Sequence, residues 1–407
     1  MKKCSLIILF IIMLYSCDQI KPTDNIEYKK GTYGYDAAFL KKNLPEIIEL
    51  SDTNTGAKIL LSAIYQGRVL TSAAGDSGNS FGWINYDLIS SQKKKAQFNP
   101  IGGEERFWIG PEGGQYAFYF KKGDSFNIAH WQVPAIIDTL PYNVFESNNS
   151  RVVFSKDGTI ENYSGNSFHI NITRSIQILT KSDVENRLKV SIPQEVKFVA
   201  YESNNEIKNT GDADWKKENG LPSIWLLSMM QPSDETGVCI PFNSGKNSRQ
   251  YITENYFGTV PADRLVIKDS VLFLKCDGKY RSKIGLSPAI AKPFAASYDF
   301  KRNILTILHF EIDKNASYVN SKWEMQKEPY KGDVINSYND GPLADGSQLG
   351  PFYEIESSSP AKELKKGESL VHNQMICHFE GDYQSLNTIA QKLLGINLDE
   401  IKSSLHL

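Results

Sequence analysis

Residues 168–179 read Phe-His-Ile-Asn-Ile-Thr-Arg-Ser-Ile-Gln-Ile-Leu. Phe168, Ile170, Ile172, Ile176 and Ile178 fall on one side, and His169, Asn171, Thr173, Ser175 and Gln177 on the other. A period of two places one face of a strand on a core and the other towards water. Strand-like runs recur at 57–65, 152–154, 190–201, 265–274 and 304–312, separated by clusters of Gly, Asn, Asp and Pro. Helical spacing is confined to three places. Residues 36–50 carry Phe39, Leu40, Leu44, Ile47 and Ile48 on one stripe, with Pro45 inside it; the other two are 383–394 and 398–405. No internal repeat and no inter-domain linker interrupts the pattern. It predicts an all-β chain, one large two-sheet sandwich over 28–407 with short N- and C-terminal helices. One residue breaks the alternation. Arg174 lies on the apolar face, where a guanidinium must meet an anion or reach an edge. A buried ion pair and a substrate-binding pocket floor both satisfy that demand.

The two ends of the chain differ in kind from its body. Lys2 and Lys3 precede an apolar run from Leu6 to Leu14, which is too short to span a bilayer stably. The run closes on Leu14-Tyr15-Ser16-Cys17. This is similar to a lipobox, in which the Cys becomes the lipid-carrying N-terminus. Residues 1–16 are thus predicted to be a lipoprotein signal and 17–27 a polar linker. The mature protein is expected to be exported and held by Cys17 on the periplasmic or cell-surface face of a membrane. Of the remaining cysteines, Cys239, Cys276 and Cys377 sit in apolar strand-like runs, as buried free thiols do. Neither metal-binding spacing nor a phosphate loop occurs, so no metal and no cofactor is expected. The 407 residues carry a formal charge of −2, with lysines and acids interspersed and Lys93-Lys94-Lys95 as a short basic run. Nucleic acid is not an expected partner.

Chemistry-bearing side chains gather in two segments. Gly102 to Gly114 reads Gly-Gly-Glu-Glu-Arg-Phe-Trp-Ile-Gly-Pro-Glu-Gly-Gly. Glycines bracket a short strand holding Glu104, Glu105, Arg106 and Trp108, with Glu112 just beyond. Charged groups bond sugar hydroxyls and an indole covers a sugar's apolar face, so Arg106, Trp108 and Glu112 are candidate carbohydrate contacts. The second segment runs from Asn336-Ser-Tyr-Asn-Asp-Gly-Pro through Gln348-Leu-Gly-Pro-Phe-Tyr-Glu-Ile-Glu. It offers Tyr338 as a binding residue and Asp340 and Glu354 as catalytic ones. Glu354 and Glu356 lie two apart and share a strand face. If that face is enclosed, one carboxyl is pushed towards the neutral form; in water both are ordinary surface charges. Among the six histidines, His130, beside Trp131 in a loop before Pro134, is a further candidate catalytic residue, and His309, which shares a strand face with Glu311, also stands out. Gly78-Asn-Ser-Phe-Gly82 matches a nucleophile-elbow string, but a strand-like run rather than a helix follows it, so it reads as a turn.

At these segments the chain resembles the galactose-mutarotase-like proteins, a β-supersandwich class. Gly350-Pro-Phe-Tyr-Glu354 is similar to the aldose-epimerase strand in which a Gly precedes the catalytic Glu by four residues. Arg106 is similar to that family's substrate-binding Arg. The resemblance implies a concave carbohydrate site with Glu354 as base. The family's Asn-His-x-Tyr-Phe-Asn pattern and its earlier catalytic His are absent, so the fold carries over further than the activity. Nearly the whole mature chain also resembles exported Bacteroidetes lipoproteins without an assigned activity. Gln66-Gly-Arg-Val, Phe81-Gly-Trp-Ile-Asn85, the Gly102 segment, Tyr256-Phe-Gly, Tyr280-Arg-Ser-Lys-Ile-Gly285 and the Asn336 segment carry that likeness. Three functions follow: a carbohydrate-binding protein, a sugar epimerase, mutarotase or glycosidase using Glu354 as base or nucleophile, and a non-catalytic structural lipoprotein.

Overall fold

A computed structural model describes residues 28–407. The signal segment, Cys17 and the linker fall outside the described residues. Three antiparallel sheets form the body. The ten-stranded sheet runs in the order Leu265–Lys268, Val271–Lys275, Thr236–Pro241, Phe294–Asp299, Ile304–Phe310, Ser369–Glu380, Lys197–Asn209, Ser167–Ile178, Arg151–Glu161, Asn143–Ser147. The six-stranded sheet runs Ile252–Thr253, Ser282–Leu286, Ile335–Asn339, Tyr353–Ser358, Ser223–Met230, Arg106–Gly110. A three-stranded sheet of Ile47–Ser51, Lys58–Ser62 and Arg68–Ala73 completes the body.

Alternation sorts each strand's side chains between layers. From the ten-stranded sheet, Ile170, Ile172, Ile176, Val199, Tyr201, Ile207 and Ile376 meet Phe107, Leu226, Ile284 and Ile355 of the six-stranded sheet in one buried cluster. The opposite face of the ten-stranded sheet carries Ala200, Cys239, Phe273, Leu305, Ile307 and Phe379. It is covered by Leu386, Ile389, Leu398, Ile401 and Leu405 of the helices Tyr383–Leu394 and Leu398–Leu405. Cys239, Cys276 and Cys377 are free and buried.

The inner layer is partly polar. His372, Gln374 and His378, a polar strand face in the sequence, are all buried. His372 Nε2 lies 2.7 Å from Ser357 Oγ, and Gln374 Nε2 donates to Glu105 Oε2 at 2.8 Å and to Ser228 Oγ at 3.2 Å. His378 Nε2 lies 3.0 Å from Glu104 Oε1 and its ring stacks on Phe81. The polar groups meet one another across the sandwich, so their face is buried without being apolar.

Three expectations are corrected. The helix expected over 36–50 is Tyr33–Asn43; Leu44 is already extended (φ −122°, ψ 133°) and Ile47 and Ile48 enter a strand. Pro45 explains this, because its ring disfavours helical backbone at the residue before it. The strand expected over 190–201 begins only at Lys197; Val190, Ile192 and Val196 are buried under the helix-covered face instead. Helices are not confined to the ends. Tyr86–Ser91 and Lys181–Leu188 are internal, and the latter is closed by a reciprocal cap between Thr180 and Asp183.

Candidate active site: a charged floor under tryptophan walls

The face of the six-stranded sheet turned away from the sandwich interior forms the floor of a cavity of about 810 Å³. Strand register assembles it. Lys283, Tyr338, Glu354 and Met229 stand side by side on four strands, followed by Asn336, Glu356, Leu227 and Arg106, then by Ser358, Trp225 and Trp108. Opposed residues of antiparallel strands share a face, so these rows project together. The intervening Phe107 and Ile355 point into the sandwich.

Two buried ion pairs cross this floor. Arg106 Nη2 donates to Glu354 Oε1 at 2.7 Å, and Lys283 Nζ donates to Glu356 Oε2 at 3.0 Å. Each cation also lies against an indole, Arg106 at 4.2 Å from the Trp108 ring centre and Lys283 at 4.7 Å from that of Trp225. Trp225 Nε1 donates to Glu356 Oε2 at 2.8 Å. From floor to rim, Trp225, Trp108, Trp131 and Trp323 touch in succession, with ring centres 5.4, 6.2 and 6.1 Å apart. Four of the chain's six tryptophans thus line one cavity.

Burial dominates the electrostatics. It pushes the Glu354 carboxyl up to about 7, against the pull of Arg106 and with added repulsion from Glu356. Burial works to lower Lys283, but Glu356 and Glu112 outweigh it and hold the ammonium above its ordinary range. Burial also raises Glu112, which accepts from Trp131 Nε1 at 3.0 Å. Asp340 is raised by burial while accepting from the Tyr338 hydroxyl and, at 3.0 Å, from the Gly350 amide. Arg106 Nε and Nη1, Trp108 Nε1 and Glu356 Oε1 are buried without a hydrogen-bond partner in the protein.

Glycines let the backbone carry this arrangement. Gly102 has φ +91°, and a Cβ there would meet the Trp83 carbonyl oxygen at 2.0 Å. At Gly350 a Cβ would strike the Trp83 ring at 2.1 Å. Trp83 packs with Met229, Tyr338 and Phe352 beneath the site.

Of the residues singled out in the sequence, Arg106, Trp108, Glu112, Tyr338, Asp340 and Glu354 all line the cavity. Two catalytic or binding candidates are corrected. Arg174 is wholly buried inside the sandwich, where its Nη2 donates to Glu105 Oε1 at 2.8 Å and Phe107 covers it. It points away from the floor because Glu105 and Phe107 face the opposite side of their strand from Arg106. His130 is exposed, with Nδ1 3.2 Å from the Ser125 carbonyl, and borders a different depression beside Glu161. His309 sits on the ten-stranded sheet against Phe294, and burial lowers its pKa. The sequence reading missed Lys283, Trp225, Phe257, Arg281 and Trp323 as site residues. Its available signal was Arg281 and Lys283, two apart at the start of the strand Ser282–Leu286. Among the described residues, no three His, Cys, Asp or Glu side chains are grouped to hold a metal ion.

Residues 31–405 match a family described as a family of unknown function, DUF6786. The chain belongs to this family. No curated protein matches the sequence. Among solved structures, a protein of Escherichia coli K12 provisionally assigned as an aldose 1-epimerase superposes with a TM-score of 0.50 at 9% identity, covering 83% of this chain and 99% of the other. A protein of Synechocystis sp. PCC 6803 gives 0.51 at 13% identity, over 83% and 97%. A galactose mutarotase-like protein of Lactobacillus casei ATCC 334 gives 0.46 at 10% identity, over 82% and 99%. The first two likenesses show the fold of this DUF6786 chain, a galactose-mutarotase-like β-supersandwich.

Proposed function

We propose that the cavity binds a carbohydrate and that Glu354 accepts a proton from a sugar hydroxyl there. The observation that carries this reading is the Arg106–Glu354 ion pair on a buried floor beneath four tryptophans. Indole faces suit the apolar faces of sugar rings, and paired charges suit hydroxyls. A carboxyl lifted to about 7 is half-ionised near neutrality and therefore suited to taking and returning a proton. Turnover of epimerase or mutarotase type is the second reading, favoured by Glu112, a second raised carboxyl in the same cavity. Glu354 would take the anomeric hydroxyl proton while a protonated group gives one to the ring oxygen, and the ring C–O bond opens. No histidine lines the cavity among the described residues, so the donor would be Glu112, Asp340 or Lys283.

The test is a glycan-array and calorimetric screen of wild type, Arg106→Ala and Glu354→Gln. Each substitution removes a charge-assisted hydrogen bond, worth about 1.5–3 kcal/mol, and is expected to weaken binding roughly ten- to a hundredfold. Binding by both variants at wild-type affinity would place the site elsewhere. We also infer export and lipid anchoring from the sequence ending in Cys17. Cys17→Ala is expected to move the protein from the membrane fraction to the soluble one.

A further inference from the structure

The floor is charged, whereas the rim sets large apolar side chains among polar ones such as Lys95, Gln97 and Ser347. Ile128, Phe257, Leu343 and Leu349 are among the chain's exposed large hydrophobic side chains, 54%, 39%, 38% and 43% exposed. All four border this cavity. Isolated apolar side chains on a surface are ordinary, whereas several around one opening mark a binding surface. They come from three separate loops, so no single loop's composition accounts for them. The loops are also held. Gln97 Nε2 donates to the carbonyls of Ile128 and Trp131. The Arg281 guanidinium lies 3.7 Å from the centre of the Phe257 ring. The Leu343 amide donates to the Ser347 carbonyl at 2.8 Å, and Gln348 Nε2 donates to the carbonyls of Gly278 and Gly350 at 2.9 and 3.0 Å.

A free sugar is polar on every edge. Its hydroxyls match the crossed ion pairs of the floor, but branched aliphatic side chains give it neither a flat π face nor a hydrogen bond. Ile128, Leu343 and Leu349 instead match a hydrocarbon or aromatic group joined to the sugar and lying above it. Resting on the carbohydrate reading of the floor, we propose that the ligand is a glycoconjugate: its sugar on the Arg106–Glu354 floor and an apolar aglycone within the rim.

The experiment is isothermal calorimetry on the whole protein with methyl, hexyl, octyl and phenyl glycosides of common hexoses. Matched di- and trisaccharides and octanol alone complete the series. Affinity is expected to rise from methyl to octyl, by up to about fourfold for each methylene that becomes buried. Ile128→Ser and Leu349→Ser change exposed positions, and each is expected to cut the octyl-to-methyl affinity ratio at least fivefold. Equal affinity for methyl and octyl glycosides would overturn the proposal. So would an octyl gain that survives in both variants, an equal gain from added sugar units, or octanol binding as tightly as the octyl glycoside. If no glycoside or oligosaccharide binds, the carbohydrate reading falls along with the proposal. If methyl glycosides bind but alkyl chains add nothing, the carbohydrate reading stands and the aglycone is lost.

Discussion

Glu354 is subject to opposing forces whose balance is measurable. Burial and Glu356 favour its neutral form, Arg106 favours the charged one, and the folded carboxyl rests at about 7. Its folded value exceeds its unfolded one, so between those values the folded state binds more protons than the unfolded. Glu354 therefore reduces stability as pH climbs from the ordinary carboxylate range to about 7. Glu354→Gln is expected to gain stability relative to wild type over that interval, read as the difference between paired thermal melts at pH 5 and pH 8. A difference independent of pH would contradict the raised value. Arg174 poses the complementary case. Arg174→Met leaves Glu105 as an unpaired buried charge and is expected to cost about 3–5 kcal/mol in denaturant melts, with the double change Arg174→Met/Glu105→Gln recovering part of it. Sequence alone made Arg106 and Glu354 visible, because each is a charge in a glycine-bounded strand rich in aromatics. It could not separate Arg106 from Arg174. Both are arginines on strands, and only the direction of Phe107 and Glu105 shows which one faces the cavity. The pairing of Lys283 and Trp225 was hidden for a different reason: their common partner, Glu356, lies 73 and 131 residues away from them along the chain, and the three meet only through strand register.

The strand Tyr353–Ser358 shows how one element serves two layers. Glu354 and Glu356 point to the cavity side of the sheet, with Glu354 lining the cavity, while Ile355 and Ser357 face the sandwich, with Ser357 Oγ donating to Gln374 Oε1 at 2.6 Å. The two-residue spacing was legible; the enclosure of that face was not, because the walls come from loops near residues 98, 131, 257 and 323. The loop leading into this strand depends on Asp340. Its carboxylate receives both the Tyr338 hydroxyl and the Gly350 amide, tying the two ends of residues 340–350 together. Asp340→Ala is expected to release that loop. The readouts are faster proteolytic cleavage within 342–349 and a loss of affinity for any ligand of the cavity, with the thermal midpoint falling less than for Arg174→Met. Elements with strict periodicity were read correctly, as with the helices Tyr383–Leu394 and Leu398–Leu405. Elements at a change of period were not. Residues 36–50 carry a helical stripe that continues by coincidence into a strand, and 190–201 join a buried connection to a strand of the same apolar character.

Across the whole molecule, the ten-stranded sheet has a packed cluster on each face, and the cluster on its inner face also takes in Leu50, Ile59 and Leu61 of the three-stranded sheet. This arrangement favours one cooperative unit over 28–407. Limited proteolysis is expected to leave one large fragment; two stable fragments of similar size would contradict that. The three enclosed cysteines turn this expectation into a clock. Burial holds each thiol far from its reactive thiolate form, and Cys239, Cys276 and Cys377 lie on or beside three different strands of the ten-stranded sheet. An alkylating reagent can reach a sulfur only while its strand is detached, so the labelling rate at each position reports opening there without any introduced residue. Three equal half-times would mean that the sheet opens all at once. A cysteine that labels ahead of the others would name the strand that lets go first.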